Sequence, residues 1–309
     1  MLSGDAELDD VFEKLLGLDP YGERTARVLR ETLDQLYDGQ HTGRYRWDQL
    51  HKTEKTHCGT LVEINLHREF QFDDGEKLDY SIGSVDVDCK YSQKLGGWMI
   101  PKEAYGKLCL LVTANDEAST WSAGLVRADE ALLGPGRNRD AKAALSKEGR
   151  DAIRWLHKGA ELPPNVLLDL SPHAQDAIFG ELSGQKRVDE LFRQTLGRRV
   201  GRGVVATVAQ QSDYMKRVRS NGGSRTRLQP EGIVVLGDAE RHRVIAQALG
   251  VEVPEQGESV AVRVAPAQEN WVGPTFEAEG TAWRLATPSD AVRRAPKMEN
   301  PRVARPTGQ

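Results

Sequence analysis

The chain has 309 residues and a mass of 34.2 kDa, enough for about two domains that each bury a core. Hydrophobic residues make up 39% of it and charged residues 28%, which excludes collagen-like, coiled-coil and wholly disordered proteins. The net charge of -4 is unevenly divided, with -6 in residues 1–160 and +2 in residues 161–309.

The sequence shows no sign of export or membrane insertion. No apolar run approaches the roughly 18 residues of a transmembrane helix, and residues 1–10 are acidic and lack a signal-peptide pattern. Cys58, Cys89 and Cys109 form no C-x-x-C pair and are odd in number, which argues against a disulfide framework and a structural zinc site. We therefore expect a cytoplasmic protein without membrane association.

Helical periodicity dominates the first seventy residues. Apolar residues recur at steps of three and four in the first predicted helix, at Val28, Leu29, Leu33 and Leu36. A second helix is predicted over 52–70, with a buried stripe at Val62, Leu66 and Phe70.

Strands are predicted next, and a domain boundary follows them. Residues 78–91 alternate apolar and polar side chains, 107–114 is an apolar run typical of a central strand, and 121–127 could pair beside it. After a helix predicted near 140–156, the Pro and Gly content of 158–165 indicates a linker. The predicted domains are therefore residues 1–160 and 166–309.

The segment 78–91 carries an unusual polar pattern. Gly83-Ser84 predicts a type II′ turn, which would place Ile82 opposite Val85 and Asp79 opposite Asp88. The strand period of two then puts apolar side chains on one face, at Leu78, Tyr80, Ile82, Val85, Val87, Cys89 and Tyr91. The other face carries Asp79, Asp86, Asp88 and Lys90.

Two opposed carboxylates beside a lysine predict a site for a divalent cation. Oxygen ligands favour Mg²⁺, and Lys90 could orient a water or stabilise charge on a phosphate. The alternative is a solvated outer face of a hairpin. Two features favour the metal site. Asp79, Asp88 and Lys90 match the D, spacer, D-x-K pattern of restriction-endonuclease-like nucleases, and Glu63 is an acid on the preceding helix, as in that nuclease core.

The second domain contains a basic segment at 186–227, with eleven Lys and Arg against three acids. Helices over 188–196, 203–210 and 214–219, followed by a hairpin of 225–228 with 233–236, give the order of a winged helix-turn-helix. This predicts DNA binding by a recognition helix and a wing, with the contacts at Lys216, Arg217, Arg219, Arg225 and Arg227. The alternative is a solvated basic face. The region 232–286 is predicted to be strand-rich, and the Pro- and Arg-rich tail 288–309 to be disordered.

Long stretches of both domains closely resemble the NaeI-type type II restriction endonucleases. The stretches are 33–40, 48–57, 59–72, 87–90, 206–211, 215–219 and 230–233. The resemblance implies an α/β restriction-endonuclease-like core, with a central mixed sheet flanked by helices, and a C-terminal winged-helix α+β domain. It also implies that Glu63, Asp79, Asp88 and Lys90 are the catalytic set, with the first three as metal ligands and Thr53 as a possible further member. Asp86 departs from the family pattern, and its effect on the metal site is left open.

The resemblance further implies a type IIE mode of action. A homodimer would use Mg²⁺ to cut double-stranded DNA, with GCCGGC as the expected site, blunt ends, and activation by a second bound DNA site. A cognate DNA methyltransferase is the expected genetic partner. The alternatives are a catalytically inactive DNA-binding regulator and a repair nickase on the same core.

Two other patterns are set aside. Residues 36–39 resemble the K-x-D-G motif of DNA ligases, but Leu36 replaces the lysine that accepts the nucleotide, so no ligase activity is expected. His51, His57 and His67 lack an H-E-x-x-H pattern, so no zinc site is expected there either.

Overall fold

A computed structural model describes residues 4–298 of the chain. They form two compact units, one of residues 4–37 and 46–164 and the other of residues 38–45 and 165–298. The inclusion of 38–45 in the second unit is a feature that the sequence does not predict. Within the described residues, no helix is long and apolar enough to cross a membrane.

Three long helices cover one face of the first unit's sheet. They are α1 (Ala6–Leu18), α2 (Glu23–Tyr37) and α4 (Lys52–Phe70), and a four-residue helix α3 (Gly39–Thr42) lies between the last two in the chain. The predicted stripe of α2 is confirmed, because Leu29, Leu33 and Leu36 are buried. In α4, Val62 and Leu66 are buried and Phe70 packs against the same core.

The central sheet of the first unit has six strands in the order β1-β2-β3-β5-β6-β9. It is mixed, because β3 is parallel to β5 whereas the other neighbours are antiparallel. This confirms the predicted mixed sheet flanked by helices. The strands are β1 (Asp73–Asp74), β2 (Tyr80–Ile82), β3 (Val85–Ser92), β5 (Leu108–Asn115), β6 (Thr120–Arg127) and β9 (Arg154–Glu161).

A small sheet covers the other face of the central sheet. Its strands β4 (Met99–Ile100), β7 (Leu133–Arg137) and β8 (Ala143–Leu145) lie in the order β4-β8-β7. The predicted helix near 140–156 is therefore wrong, and only the short α5 (Lys147–Asp151) is helical. Pairing with neighbouring strands overrides the helix propensity of the alanines here.

Strand β5 is buried on both faces, as its apolar run predicts. Leu110 and Val112 belong to the core beneath the long helices, whereas Cys109 and Leu111 belong to the core beneath the small sheet. Residues 158–161 of the predicted linker are the end of β9, and the chain passes to the second unit after Pro164.

The second unit combines five further helices with a five-stranded sheet in which β12 pairs with three strands: β10, β11 and β14. Its helices are α6 (Pro172–Phe179), α7 (Gly184–Gln194), α8 (Arg202–Ala209), α9 (Ser224–Arg227) and α10 (Glu240–Leu249). Its strands are β10 (Arg199–Val200), β11 (Ile233–Gly237), β12 (Ser259–Pro266), β13 (Phe276–Ala278) and β14 (Thr281–Leu285).

The winged-helix details differ from the prediction. The expected recognition helix over 214–219 is a 3-10 turn over Tyr214–Arg217. The expected first wing strand over 225–228 is the short helix α9, and β11 pairs with the distant β12 instead. The physical reason is burial, because Ser224 and Leu228 at the two ends of α9 are buried in the unit's interior.

The first part of the predicted disordered tail is ordered. Ala295 and Met298 are buried, and the backbone N–H of Ala295 donates to the carbonyl of Gln229. Asp290 is ion-paired with Arg284 at 2.6 Å. These contacts make the expectation of disorder wrong for 288–298, and the remaining tail residues lie outside the described part of the chain.

Candidate active site and basic segment

The hairpin of β2 and β3 brings the predicted acids together. Tyr80 pairs with Val87 and Ile82 with Val85, which is the predicted register. The turn itself differs, since both Gly83 and Ser84 have positive φ, as in a type I′ turn and not in type II′.

Asp79, Asp88 and Lys90 form one hydrogen-bonded cluster. The ammonium Nζ of Lys90 lies 2.7 Å from Oδ1 of Asp88 and 3.4 Å from Oδ2 of Asp79. The backbone N–H of Cys89 donates to the same Oδ2 of Asp79 at 2.7 Å, which fixes that carboxylate against the strand. The lysine thus lies between the two opposed acids, as the alternation predicts.

The polar face of the hairpin is not a solvated outer face, which is the alternative to a metal site. Asp88 has only 3% of its surface exposed, and its Oδ2 lies 3.9 Å from the thiol sulfur of Cys109. Cys109 is Asp88's register partner on β5 and belongs to the core beneath the small sheet. Leu78 packs against that core too, so its predicted place beside Tyr80 is wrong.

Glu63 lies on α4, which is hydrogen-bonded to the hairpin. The phenol of Tyr80 donates to the backbone carbonyl of Glu63 at 2.8 Å, which ties the helix to the hairpin. Burial, and then the negative charge of Asp79, raise the pKa of the Glu63 carboxyl. The charges of the cluster therefore act on the Glu63 carboxyl.

Burial also controls the protonation of the cluster. It raises the pKa of Asp88 to about 6, although the positive charge of Lys90 acts in the opposite direction. Burial lowers the pKa of Lys90, but the charge of Asp88, its hydrogen bond to Lys90 and the charge of Asp79 together hold the pKa above its ordinary value. A buried acid with an upward-shifted pKa beside a second acid is a setting that favours cation binding.

Asp86 has a separate role from its neighbours on the polar face. Its two carboxylate oxygens accept the backbone N–H groups of Glu76, at 2.8 Å, and Lys77, at 3.2 Å. It therefore holds the loop that leads to Asp79. These hydrogen bonds give Asp86 partners outside the cluster of Asp79, Asp88 and Lys90.

Thr53, the possible further member of the set, lies near the start of α4. It is exposed in the first turn of α4, ten residues before Glu63, and a helix of that length spans about 15 Å.

Within residues 4–298, no group of three or more His, Cys, Asp or Glu side chains is arranged to hold a metal ion. Glu63 therefore does not complete a three-carboxylate site with Asp79 and Asp88.

Sequence reasoning missed two neighbours of the buried acid. The charge of Glu103, which follows β4 in the chain, contributes to the upward pKa shift of Asp88. Cys109 contacts Asp88 only because β3 and β5 are in register. Neither residue belongs to a local motif, so no signal in the sequence could have indicated them. Cys58, Cys89 and Cys109 are all free and buried.

The five basic residues predicted to contact DNA have different surroundings. Lys216 and Arg219 are exposed, and Lys216 lies 3.5 Å from a carboxylate oxygen of Asp213. Arg217 pairs with the same carboxylate at 3.0 Å, and Arg227 pairs with the buried Asp189 at 2.6 Å. Arg225 is half-buried and donates to the carbonyl of Val235 at 3.2 Å.

The chain matches a known protein family over almost its whole length. A sequence profile described as restriction endonuclease NaeI matches residues 9–294. The chain belongs to the NaeI restriction endonuclease family. A type II restriction enzyme NaeI from Lentzea aerocolonigenes is 51% identical over 300 residues, which cover 94% of each chain. The family predicted from the quoted stretches is confirmed, and membership makes this chain a DNA endonuclease.

Proposed function

We propose that this chain is a Mg²⁺-dependent type II restriction endonuclease with a catalytic set of Glu63, Asp79, Asp88 and Lys90. The observation that carries the proposal is the position of the Lys90 ammonium between the carboxylates of Asp88 and Asp79. A half-buried lysine held by two acids, on a hairpin next to a Glu-bearing helix, is the arrangement that the D, spacer, D-x-K pattern predicts.

The donor set fits a magnesium ion. Mg²⁺ is commonly held by one or two protein carboxylates, with water and substrate phosphate completing its coordination, and Asp79 and Asp88 supply two carboxylates. Bound there, the ion supplies Lewis-acid activation and neutralises charge at the scissile phosphate. Glu63 on α4 is the third acid of the proposed set, and it is coupled to Asp79 and Asp88 by charge. Lys90, held by Asp88, orients water and stabilises the charge that develops on the phosphate.

The family resemblance supports the finer assignments. We assign GCCGGC as the target, cut to blunt ends by a homodimer whose two-fold axis relates two active sites. The second unit is assigned to binding an effector DNA site that activates cleavage, with the exposed Lys216 and Arg219 among its contacts. Arg217, Arg225 and Arg227 line the same segment. A DNA methyltransferase of the same specificity would protect the host.

Replacing Asp88 tests the catalytic assignment. Asp88→Asn keeps the shape of the side chain but removes the charge that binds Lys90 and the metal. Cleavage of a plasmid with two GCCGGC sites should fall about 10³-fold, since several kcal/mol of charge stabilisation are lost. Binding to the same DNA without Mg²⁺ should stay within about threefold, because phosphate contacts elsewhere are intact.

Glu117→Gln is the matched control, because this acid is exposed in the turn after β5. It should cleave at the wild-type rate. Full activity in Asp88→Asn would show that the catalytic set is wrong. Wild-type cleavage that stops at nicked circles would favour the repair nickase, and sequencing the ends of linear products reads the target directly.

A further inference from the structure

The β7–β8 hairpin of the first unit is placed on the catalytic side of the central sheet. Its buried residues Leu133, Ala143 and Leu145 pack into the core that contains Cys109. Asp88 faces the same side, since its Oδ2 lies 3.9 Å from the sulfur of Cys109. The strands of this hairpin therefore lie over the face from which the catalytic carboxylates project.

A short segment connects the end of the hairpin to the cluster. The guanidinium of Arg137 lies 5.6 Å from the ring centroid of Tyr105, a cation–π contact. Tyr105 ends the 3-10 turn Lys102–Ala104, which carries Glu103, whose charge acts on Asp88. The base of the loop therefore contacts the segment between β4 and β5, and the charge of Glu103 in that segment acts on Asp88.

The loop of this hairpin has a defined conformation although it is exposed. The side-chain oxygen of Asn138 accepts the backbone N–H groups of Asp140, at 3.0 Å, and Lys142, at 2.8 Å. The backbone N–H of Asn138 donates to the carbonyl of Lys142, and Ala141 has a positive φ of 59°. An Asn that closes a turn in this way reduces the entropy lost when the loop binds a partner.

The loop carries positive charge at its surface. Some arginines of the first unit are neutralised by acids, as Arg127 is by Asp5 and Arg154 is by Asp9. Among the described residues, no ion pair is found for the side chains of Arg139 and Lys142. Residues 137–142 carry a net charge of +2 within a half-chain of net charge -6. Two cations left uncompensated beside an acidic site indicate a polyanionic partner.

We infer that the β7–β8 loop contacts the phosphate backbone of the DNA duplex that is being cut, through Arg139 and Lys142. A two-stranded ribbon is narrow enough to lie along a groove of B-DNA. Its cations offset the repulsion between the duplex and the carboxylates of the active site. The inference rests on the catalytic site proposed above, because that site decides which duplex the loop meets.

The test removes both charges in the full-length enzyme. Arg139→Ala with Lys142→Ala should reduce kcat/KM at least about tenfold, because two charge-assisted contacts are lost. The slope of log affinity against log salt should become shallower by about 1.8, or about 0.9 for each phosphate. The charge-keeping pair Arg139→Lys with Lys142→Arg should restore both quantities to within about threefold.

The charge control is Lys14→Ala with Arg27→Ala, which also removes two positive charges, here ones paired with Asp10 and Glu69, from α1 and α2 on the opposite face of the sheet. Thermal unfolding of both double variants should match the wild type, since the side chains are on the surface. Equal kcat/KM and equal salt slopes in the two double variants would overturn the inference.

A crosslinking experiment reports position directly. The three native cysteines are buried, so Arg139→Cys provides an exposed thiol for a photo-crosslinker. Crosslinking to GCCGGC DNA should occur with Arg139→Cys and not with Lys14→Cys. Crosslinks only to a second copy of the chain, or none to DNA, would overturn the inference. Failure of the catalytic proposal is distinguishable, because it would appear as cleavage by Asp88→Asn while the DNA crosslink persists.

Discussion

Asp86 and Asp88 lie two residues apart on one strand, yet their carboxylates have different hydrogen-bond partners. Asp88 binds the Lys90 ammonium, whereas Asp86 accepts two backbone N–H groups of the loop before Asp79. Alternation alone places both on one face and cannot separate them. The two carboxylates differ because the loop 75–78 passes beside Asp86 on β3 and offers it two N–H groups.

Removing the Asp86 carboxylate should impair catalysis more than stability. In Asp86→Ala the N–H groups of Glu76 and Lys77 lose their acceptor. Because water can replace the acceptor at this exposed site, the free energy of unfolding should fall by only about 1 kcal/mol. The looser loop should displace Asp79 and lower kcat about tenfold with little change in KM. Steady-state kinetics at saturating Mg²⁺ measure this.

The control for Asp86 is Glu76→Gln, which removes a charge from the same loop but keeps its backbone N–H. Asp86→Asn should have an intermediate kcat, since its amide retains one acceptor oxygen. A wild-type kcat in Asp86→Ala would show that Asp79 needs no support from this loop.

A buried histidine makes the stability of the second unit depend on pH. Nδ1 of His242 accepts the backbone N–H of Gly237 at 3.0 Å, and its surface is fully buried. Burial, together with the positive charges of Arg225 and Arg241, lowers its pKa to about 4, while Asp238 acts in the opposite direction. The folded protein therefore holds the neutral imidazole.

Stability should fall as the pH drops from about 6.5 to 4. In that window the unfolded chain binds a proton at His242 that the folded chain excludes, so unfolding becomes easier, by up to about 3 kcal/mol. Above pH 6.5 the contribution is constant. His242→Gln, which can still accept from Gly237 but does not titrate, should lose this part of the pH dependence in Tm. Parallel Tm curves for the two proteins between pH 4 and 6.5 would contradict the assignment.

At the scale of elements, patterns with a local period are reliable. The stripes of α2 and α4 and the register of the β2–β3 hairpin follow from periods of 3.6 and 2, and all are confirmed. Among the elements that differ, β8, β9 and α9 have distant partners. Each takes its conformation from a neighbour that sequence order does not reveal.

Helix α3 illustrates a close contact between elements of the second unit. A Cβ added to Gly39 would lie 2.0 Å from Oγ1 of Thr207 on α8 and 2.8 Å from the carbonyl oxygen of Arg44. Gly39 ends the run that resembles a ligase motif. The close packing of α3 against α8 explains why this position is a glycine.

Gly39→Ala should therefore destabilise the second unit by about 1–3 kcal/mol, because overpacking forces α3 away from α8. Denaturant unfolding of the variant would measure the change. Adding Thr207→Ala, which removes the nearest clashing atom, should recover part of the loss. Gly17→Ala is the control, since a Cβ there meets no atom within 4 Å. Equal stability of the two alanine variants would contradict the close packing of α3.

At the scale of the whole molecule, a charge count overstates the free positive charge. Of the eleven basic side chains in 186–227, several are neutralised by acids from elsewhere. Arg193 pairs with Glu231, Arg198 with Asp169 and Arg199 with Glu255. The cations available for DNA are therefore fewer than the segment suggests, and the β7–β8 loop adds to them.

Binding to DNA should still depend steeply on salt. With about six phosphates neutralised across both units, affinity should fall about 10³-fold between 50 and 200 mM salt. Fluorescence anisotropy without Mg²⁺ measures this on wild type and Asp88→Asn alike. A decrease below tenfold would mean that only one or two phosphates are contacted.

The sequence by itself determined the family, the long helices, the hairpin register and the grouping of Asp79, Asp88 and Lys90, because these depend on local periodicity and on motifs read along the chain. Only the tertiary structure decided that Asp88 is buried against Cys109, that Asp86 supports a loop, and which arginines are neutralised. The physical reason is that burial and ion pairing depend on contacts between residues far apart in the chain, such as Arg193 and Glu231, and local patterns do not encode those contacts.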